Sequence, residues 1–371
     1  MTNNNGKALS KRRRALLCAG HVLGLILLVS AGSTSLGQQS PCTVPVNVLT
    51  PDFSSFPKAD ADRVFAVWKG LYGGKTVTRG MGAPSFADFG DLRVPLWTAR
   101  TGLPAEAFIA RDKKRAVSIE SVAIDRGPRR IAFVADNGKE MDASGGRVET
   151  AVIADILSRA RAEDSFALLT VGGPRVALPF GSSRDAIRAA VDALAKAPQG
   201  KPDKESALAG ILEAASWLQP PQPGDSIVVL SVLPQGKHNA TFKDVRRALA
   251  AGRIRLFYIP LRESFLPFHW DWPNEGGNSS PFDMESLVRA SGGTEIPSRS
   301  LEHLKHNVQQ IYDAIAEYYS LRVGSAGPHL NINLSPEFQT RLPMAVILYP
   351  WNLPPCPGPA TPSSQAGEAA K

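Results

Sequence analysis

A chain of 371 residues with 43% hydrophobic and 20% charged residues is long enough for one large domain with extensions, and this composition excludes wholesale disorder. The formal charge of +8 is unevenly placed: residues 1–37 hold Lys7, Lys11, Arg12, Arg13 and Arg14 and no acid, so without them the balance falls to +3. The basic character therefore belongs to a targeting segment, and nucleic-acid binding, which needs a basic face on a recognisable module, has no support.

Taken in order, Lys11-Arg-Arg-Arg14 precedes the apolar run Ala15 to Val29, and small and polar residues follow to Ser35-Leu-Gly37. That is the pattern of a secretory signal peptide over 1–37, with small residues before a cut. An uncleaved inner-membrane anchor over 15–31 is the rival, and a membrane role follows only from it. Either way the body of the chain is expected to be exported, periplasmic or secreted. Cys42 and Cys356 then remain as an even pair in an oxidising compartment, each beside proline, and a Cys42–Cys356 disulfide is expected, with an intermolecular bond as the competitor.

Residues 38–128 read as a β-rich lead-in with an irregular segment. Pro41 to Thr50 alternates well enough for a first strand, 59–71 has helical spacing, and 73–91 is rich in glycine and turn formers. Two short strands around the charged turn Arg111 to Arg115 follow. The run Ile131 to Ala135 then has the continuous apolar character of a buried strand and delivers Asp136 to its C-terminal end, ahead of an amphipathic helix from about 146 to 162. Strand-like segments at 164–171, 226–231 and 254–259 alternate with helical ones at 183–196, 204–218, 242–251, 282–290 and 301–318, and 175–179 reads as a short edge strand. This alternation implies an α/β fold: a Rossmann-like open, mostly parallel sheet flanked by helices, whose ligands sit at the strand C-terminal ends. Segments 329–334 and 344–349 suggest a small terminal hairpin in a β extension over 324–353, and 354–371 has almost nothing to bury and is expected to be disordered.

The stretch Ile131 to Met141 resembles the opening of a von Willebrand factor type A (vWA) domain, whose first turn reads Asp-x-Ser-x-Ser. Gly102-Leu103 followed by Phe108, the charged hairpin, and the Ala290-Ser-Gly-Gly293 turn resemble the exported vWA-related family described from Acidobacteria, so the likeness covers about 102–323, with the vWA-like domain itself at 129–323. In that family the loops at the rim of the sheet supply oxygen ligands to a divalent cation: an aspartate and two hydroxyls from the first loop, a threonine from the second, an aspartate from the third. Here Asp136 is kept, Gly138 and Glu140 replace the serines, Ser206 falls at the threonine, and Val232 or Leu233 occupies the place of the last aspartate. The metal-ion-dependent adhesion site is thus degenerate, and neither metal nor cofactor is expected; Mg²⁺ enters only if the rim carboxylates Asp136, Glu140, Asp142 and Glu205 rearrange.

Other chemistry finds little footing. His303 and His306 are spaced for a metal, but nothing completes a site and they read as solvated surface. No nucleophile elbow, phosphate loop or Cys–His signature occurs. The segment Arg262 to Pro281 leaves a strand end on the Asp136 rim and carries Phe265, Phe268, His269, Trp270 and Trp272; it reads as a partner-binding loop or as rings folded back into a satellite core. The expectation is a non-enzymatic, exported vWA-like protein that binds another protein through this rim or serves envelope assembly. A metal-dependent adhesion domain and a hydrolase using rim carboxylates are the alternatives.

Overall fold

The computed structural model describes residues 43–51, 58–59, 62, 66, 86–89, 92–98, 102–138, 143–196, 206–231, 240–261, 281–294, 301–324, 327, 329–342, 345–350 and 353. Five strands form a mostly parallel sheet: β7 (Arg130–Asp136), β8 (Ser165–Val171), β9 (Ala177–Leu178), β10 (Ser226–Ser231) and β11 (Arg255–Pro260), in the order β11-β10-β7-β8-β9. Only the two-residue edge strand β9 runs antiparallel. β7 lies at the centre, paired in parallel with β8 from Arg130 opposite Ser165 to Asp136 opposite Val171, and with β10 on its other side.

Because side chains alternate across a strand, β7 supplies both faces. Ile131, Phe133 and Ala135 join Phe166, Leu168, Val228 and Phe257 beneath α1 (Ala143–Arg159), α2 (Arg184–Lys196) and α6 (Leu301–Ala316). Ala132 and Val134 join Ala167, Ile227, Val229 and Leu256 beneath α3 (Ala207–Trp217), α4 (Phe242–Gly252) and α5 (Pro281–Ser291). Helices on both faces explain why these strands read as unbroken apolar runs. Each fully buried Ile, Leu, Val or Phe is worth about 1.5–3 kcal/mol relative to exposure.

A second, antiparallel sheet lies beyond α6. Its order is β2 (Phe86–Phe89), β3 (Leu92–Thr98), β1 (Thr43–Pro51), β12 (Tyr318–Val323) and β6 (Ile119–Asp125), and β14 (Val346–Leu348) also pairs with β1. A third sheet joins β4 (Phe108–Asp112), β5 (Arg115–Val117) and β13 (Leu330–Leu334). Val44, Val46 and Val48 of β1 pack into the core shared with this small sheet and with Phe338 of α7 (Pro336–Arg341). Asn47, between them in sequence, faces the other way and donates to the Ala314 carbonyl near the end of α6 at 3.3 Å. The fold is thus an open, mostly parallel α/β sheet with a β-rich N-terminal lead-in and a short C-terminal β extension.

Three expectations need correction. The terminal hairpin does not form: β13 pairs with β4 and β14 with β1. Pro336 at the first turn of α7 starts a helix between them, a position proline favours, and each strand finds its partner in the lead-in instead. The last long helix stops at Ala316 rather than Tyr318, because Tyr318–Val323 alternates and pairs with both β1 and β6. Within the stretch read as irregular, 73–91, Phe86–Phe89 is a strand, paired antiparallel with Leu92–Thr98.

At the N-terminal end of the parallel sheet, two buried arginines fasten α6. Arg129 donates to the carbonyls of Ile315 at 3.0 Å and Ala316 at 3.1 Å, and Arg255 to those of Ala314 at 2.8 Å and Ile315 at 3.0 Å. Cations at a helix C-terminus meet both its unpaired carbonyls and its negative dipole end. The Tyr318 ring lies 4.6 Å from the Arg129 guanidinium and 4.4 Å from that of Arg255, and its hydroxyl donates to Asp125 at 2.8 Å. Burial raises the Tyr318 hydroxyl pKa and pushes Arg255 down to about 10, so Arg255 stays a cation at neutral pH.

Candidate functional site

Crossover geometry sets every helix N-terminus of a parallel α/β layer at the strand C-terminal ends, and the rim here is built that way. Asp136 ends β7. Its Oδ1 accepts the Gly138 N–H at 2.9 Å, closing the turn, and its Oδ2 accepts the Ser231 hydroxyl at 2.7 Å from the end of β10. The Asn137 N–H donates to the Val171 carbonyl at 2.8 Å and carries the β7–β8 ladder one step past the strand.

Glycines let two loops meet at this point. Gly172, at φ +79°, is in the left-handed region; a Cβ there would lie 2.8 Å from Asp136 Oδ1 and 3.0 Å from Gly138 Cα, and one on Gly173 would lie 2.1 Å from the Asn137 carbonyl oxygen. A Cβ on Gly138 would sit 3.0 Å from Asp136 Oδ1. A side chain at 138 therefore needs the Asp136 carboxylate to give by a few tenths of an ångström.

Ser206 caps α3, its hydroxyl accepting the Ala209 N–H at 3.2 Å. Its rim position follows from packing. Gly210, one turn on, abuts Val134 and Val171 near the strand ends, while the Leu218 carbonyl past the other end of α3 accepts from Arg130, the first residue of β7. Asp136, Gly138 and Ser206 thus share one rim.

Two polar groups at this rim escaped the sequence reading. Ser231 was visible only as the residue before a loop lacking an aspartate, and its place at the end of a strand beside β7 was the available signal. Glu149 lies three and four residues before Val152 and Ile153, an acid on the apolar face of α1. It is 6% exposed and its Oε1 has no hydrogen-bond partner. Burial, and then the charge of Asp136, raise its pKa well above the usual carboxyl value. The Asn137 side-chain nitrogen is likewise buried and unpaired.

Among the described residues the donor set does not fit a hard divalent cation: Asp136 and the buried Glu149 fall short of the oxygen-rich shell such an ion needs, and Asp136 and Ser206 spend their oxygens on the protein's own donors. Among the described residues, no group of three or more His, Cys, Asp or Glu side chains is placed to hold a metal. Glu140, Asp142, Glu205, Val232 and Leu233 lie outside the described residues, as do Phe265, Phe268, His269, Trp270 and Trp272 of the aromatic segment and Cys42 and Cys356. Among the described residues no helix is long and apolar enough to cross a membrane.

No protein-family model and no curated protein matches the chain. Solved structures do resemble it. An aerotolerance-related membrane protein from Bacteroides fragilis, 14% identical, covers 50% of this chain and 99% of its own at a TM-score of 0.38. Proximal thread matrix protein 1 of the mussel byssus, 15% identical, covers 54% of this chain at a TM-score of 0.40, and this chain spans 50% of that one. A von Willebrand factor type A protein from Catenulispora acidiphila, 11% identical, is similar over 68% of this chain and 66% of its own, at a TM-score of 0.42.

Proposed function

We propose that this chain is a non-enzymatic, exported vWA-like protein, akin to the acidobacterial vWA-related family, that binds another protein through the rim at the strand C-terminal ends without a metal ion. The observation that carries this reading is the closed hydrogen bonding of Asp136: the turn N–H of Gly138 and the hydroxyl of Ser231 take one carboxylate oxygen each. The aspartate that would anchor a cation instead ties β7, its turn and β10 into a fixed polar ledge. A polar ledge at the strand ends is a surface beside which partner-binding residues can be displayed. Among the described residues of the rim, the second acid, Glu149, is buried, and burial and then the charge of Asp136 raise its pKa, which disfavours a general-base role.

The test is capture of a partner from envelope extract by the full chain, in buffer with and without EDTA, alongside Asp136→Arg and a variant lacking 262–281. Expected are retention in EDTA and loss in at least one rim variant. Capture abolished by EDTA favours the rearranged-carboxylate, metal-dependent reading, for which Glu149 beside Asp136 is the one structural argument. Capture unchanged by both variants removes the rim from the reading.

A further inference from the structure

We propose that the β4–β5 hairpin is a membrane-surface contact: its basic turn, with the apolar side chain beside it, rests on a bilayer that carries phosphate-bearing anionic lipid. The proposal is independent of the rim and of any partner bound there.

The chain beyond residue 37 has a net charge of +3, and five consecutive residues hold all of it: Arg111, Lys113, Lys114 and Arg115 against the single acid Asp112. Elsewhere beyond residue 37 bases and acids balance. Asp112 does not neutralise the turn. It accepts the Gly327 N–H at 2.9 Å and lies 3.7 Å from Arg115, so these two charges answer each other while Arg111, Lys113 and Lys114 remain. All three are exposed, and among the described residues none of their side chains enters an ion pair. The next acid along the chain, Glu120, is held by Arg322 at 2.8 Å.

The backbone of the turn is a second, independent observation. Asp112 and Arg115 pair directly, so the hairpin closes through two residues, Lys113 and Lys114. Lys113 has φ +56°, in the left-handed region, and Lys114 does not share it. Glycine is the usual residue at the first place of such a turn, because a Cβ is strained there, and a small polar residue is usual at the second. Two lysines occupy these places against the preference of the backbone, and charge is what they add.

The geometry favours a lipid surface over an acidic protein. The charges fan out from the tip of a hairpin rather than line a cleft, and lysine is a mobile point charge on a long stem, suited to a diffuse anionic field. Strand alternation puts Ile109 on the same face as Arg111, with Asn333 and Asn331 of β13 directly opposite them. Among the described residues Ile109 is the large hydrophobic residue left exposed, at 36%. An apolar side chain beside a basic cluster is the combination by which interfacial segments sit at the headgroup boundary.

The experiment footprints the full chain by lysine acetylation, mapped residue by residue by mass spectrometry. It is run with vesicles of equal parts phosphatidylglycerol and phosphatidylcholine, with phosphatidylcholine vesicles, and with poly-glutamate. The readout is local to each lysine, so binding through other residues does not register at the turn. With the mixed vesicles Lys113 and Lys114 are expected to react several-fold more slowly and to recover in high salt, whereas Lys196, exposed at the end of α2, keeps its rate. Phosphatidylcholine alone is expected to protect neither. Arg111→Gln, at an exposed position, is expected to raise the anionic lipid needed for half-protection by about fivefold, one base being removed, and Ile109→Ser to raise it less. Lys113→Gly, which suits the turn, is expected to raise the urea midpoint and yet weaken protection of Lys114, which separates charge from folding. Equal rates with and without anionic vesicles, equal protection by phosphatidylcholine, or equal protection of Lys196 overturns the proposal. Protection by poly-glutamate without protection by anionic vesicles assigns the hairpin to an acidic protein and overturns it as well.

Discussion

The hydroxyl of Ser231, the last residue of β10, donates to Oδ2 of Asp136, the last residue of β7, across 2.7 Å. Adjacent parallel strands end in register here, so one hydrogen bond fixes the carboxylate to the neighbouring strand and leaves the turn N–H of Gly138 to fix it to its own. Ser231→Ala removes that donor from a side chain 1% exposed and is expected to cost about 1–2 kcal/mol in urea unfolding. If the rim instead bound Mg²⁺ through Asp136, Ser231→Ala would abolish a calorimetric signal that the wild type shows; no Mg²⁺ heat at micromolar affinity is expected from either protein.

Glu149 makes stability depend on pH in a stated direction. Its pKa in the folded state is raised above the 4.5 of the free group by burial and then by Asp136. Below pH ~4.5 it is protonated folded or unfolded, and no penalty exists. As pH rises, the unfolded chain ionises first, and folding loses about 1.4 kcal/mol for each pH unit until the folded-state pKa is passed. Glu149→Gln is expected to match the wild type near pH 4 and to exceed it at pH 7, in thermal or urea midpoints taken across that range. Parallel pH curves for the two proteins contradict the assignment.

The glycine contact between the β7–α1 and β8–β9 loops predicts a graded series. Gly173→Ala places its Cβ 2.1 Å from a backbone oxygen that cannot swing away, and at least about 2 kcal/mol of destabilisation is expected. Gly172→Ala adds left-handed strain, about 1–2 kcal/mol, to contacts at 2.8 and 3.0 Å. Gly102→Ala meets nothing within 4 Å and is expected to stay within about 0.5 kcal/mol of wild type. Equal midpoints for Gly102→Ala and Gly173→Ala in urea melts would show that the loops separate freely.

Much of this fold was legible because the parallel sheet advertises itself: Ile131–Ala135 and Ile227–Leu230 are apolar without interruption only where helices cover both faces. Asp136 and Gly138 could be placed at the rim for the same reason, since turn residues after such a strand have nowhere else to go, whereas Ser206, a helix cap, was assigned there only through the vWA resemblance. The second sheet was harder to read. β1 takes its neighbours from 92–98, 318–323 and 346–348, and no local pattern encodes pairings of that separation. Ser231 and Glu149 were missed for a related reason: a serine at a strand end and an acid on a helix face acquire meaning only once β10 and α1 are set against β7.

The two arginines at the opposite end of the sheet allow the sharpest energetic test. Arg129 and Arg255 share the Ile315 carbonyl, each at 3.0 Å, and their charges oppose each other across the Tyr318 ring. Removing either one alone leaves that carbonyl a donor and relieves the repulsion between the guanidinium groups; removing both leaves the carbonyl bare at the end of α6. Arg255→Met is expected to cost about 3–5 kcal/mol, as expected when one partner of a buried polar network is lost. The sum of the two single losses should fall short of the double loss by roughly 0.5–3 kcal/mol, the range seen for residues sharing one network. Asp125 supplies an independent check. Burial raises its pKa, but the Arg129 charge together with the hydrogen bonds from Gly127, Tyr318 and Arg129 outweighs that and holds the carboxyl below its usual value, so its contribution is present at neutral pH and fades as pH falls through the folded-state pKa. Arg129→Met should therefore flatten the acid limb of the stability curve, while Arg255→Met, whose guanidinium bonds α6 carbonyls and not Asp125, should change it less. Additive losses in urea unfolding of the two single variants and the double variant would show that the arginines act as independent caps.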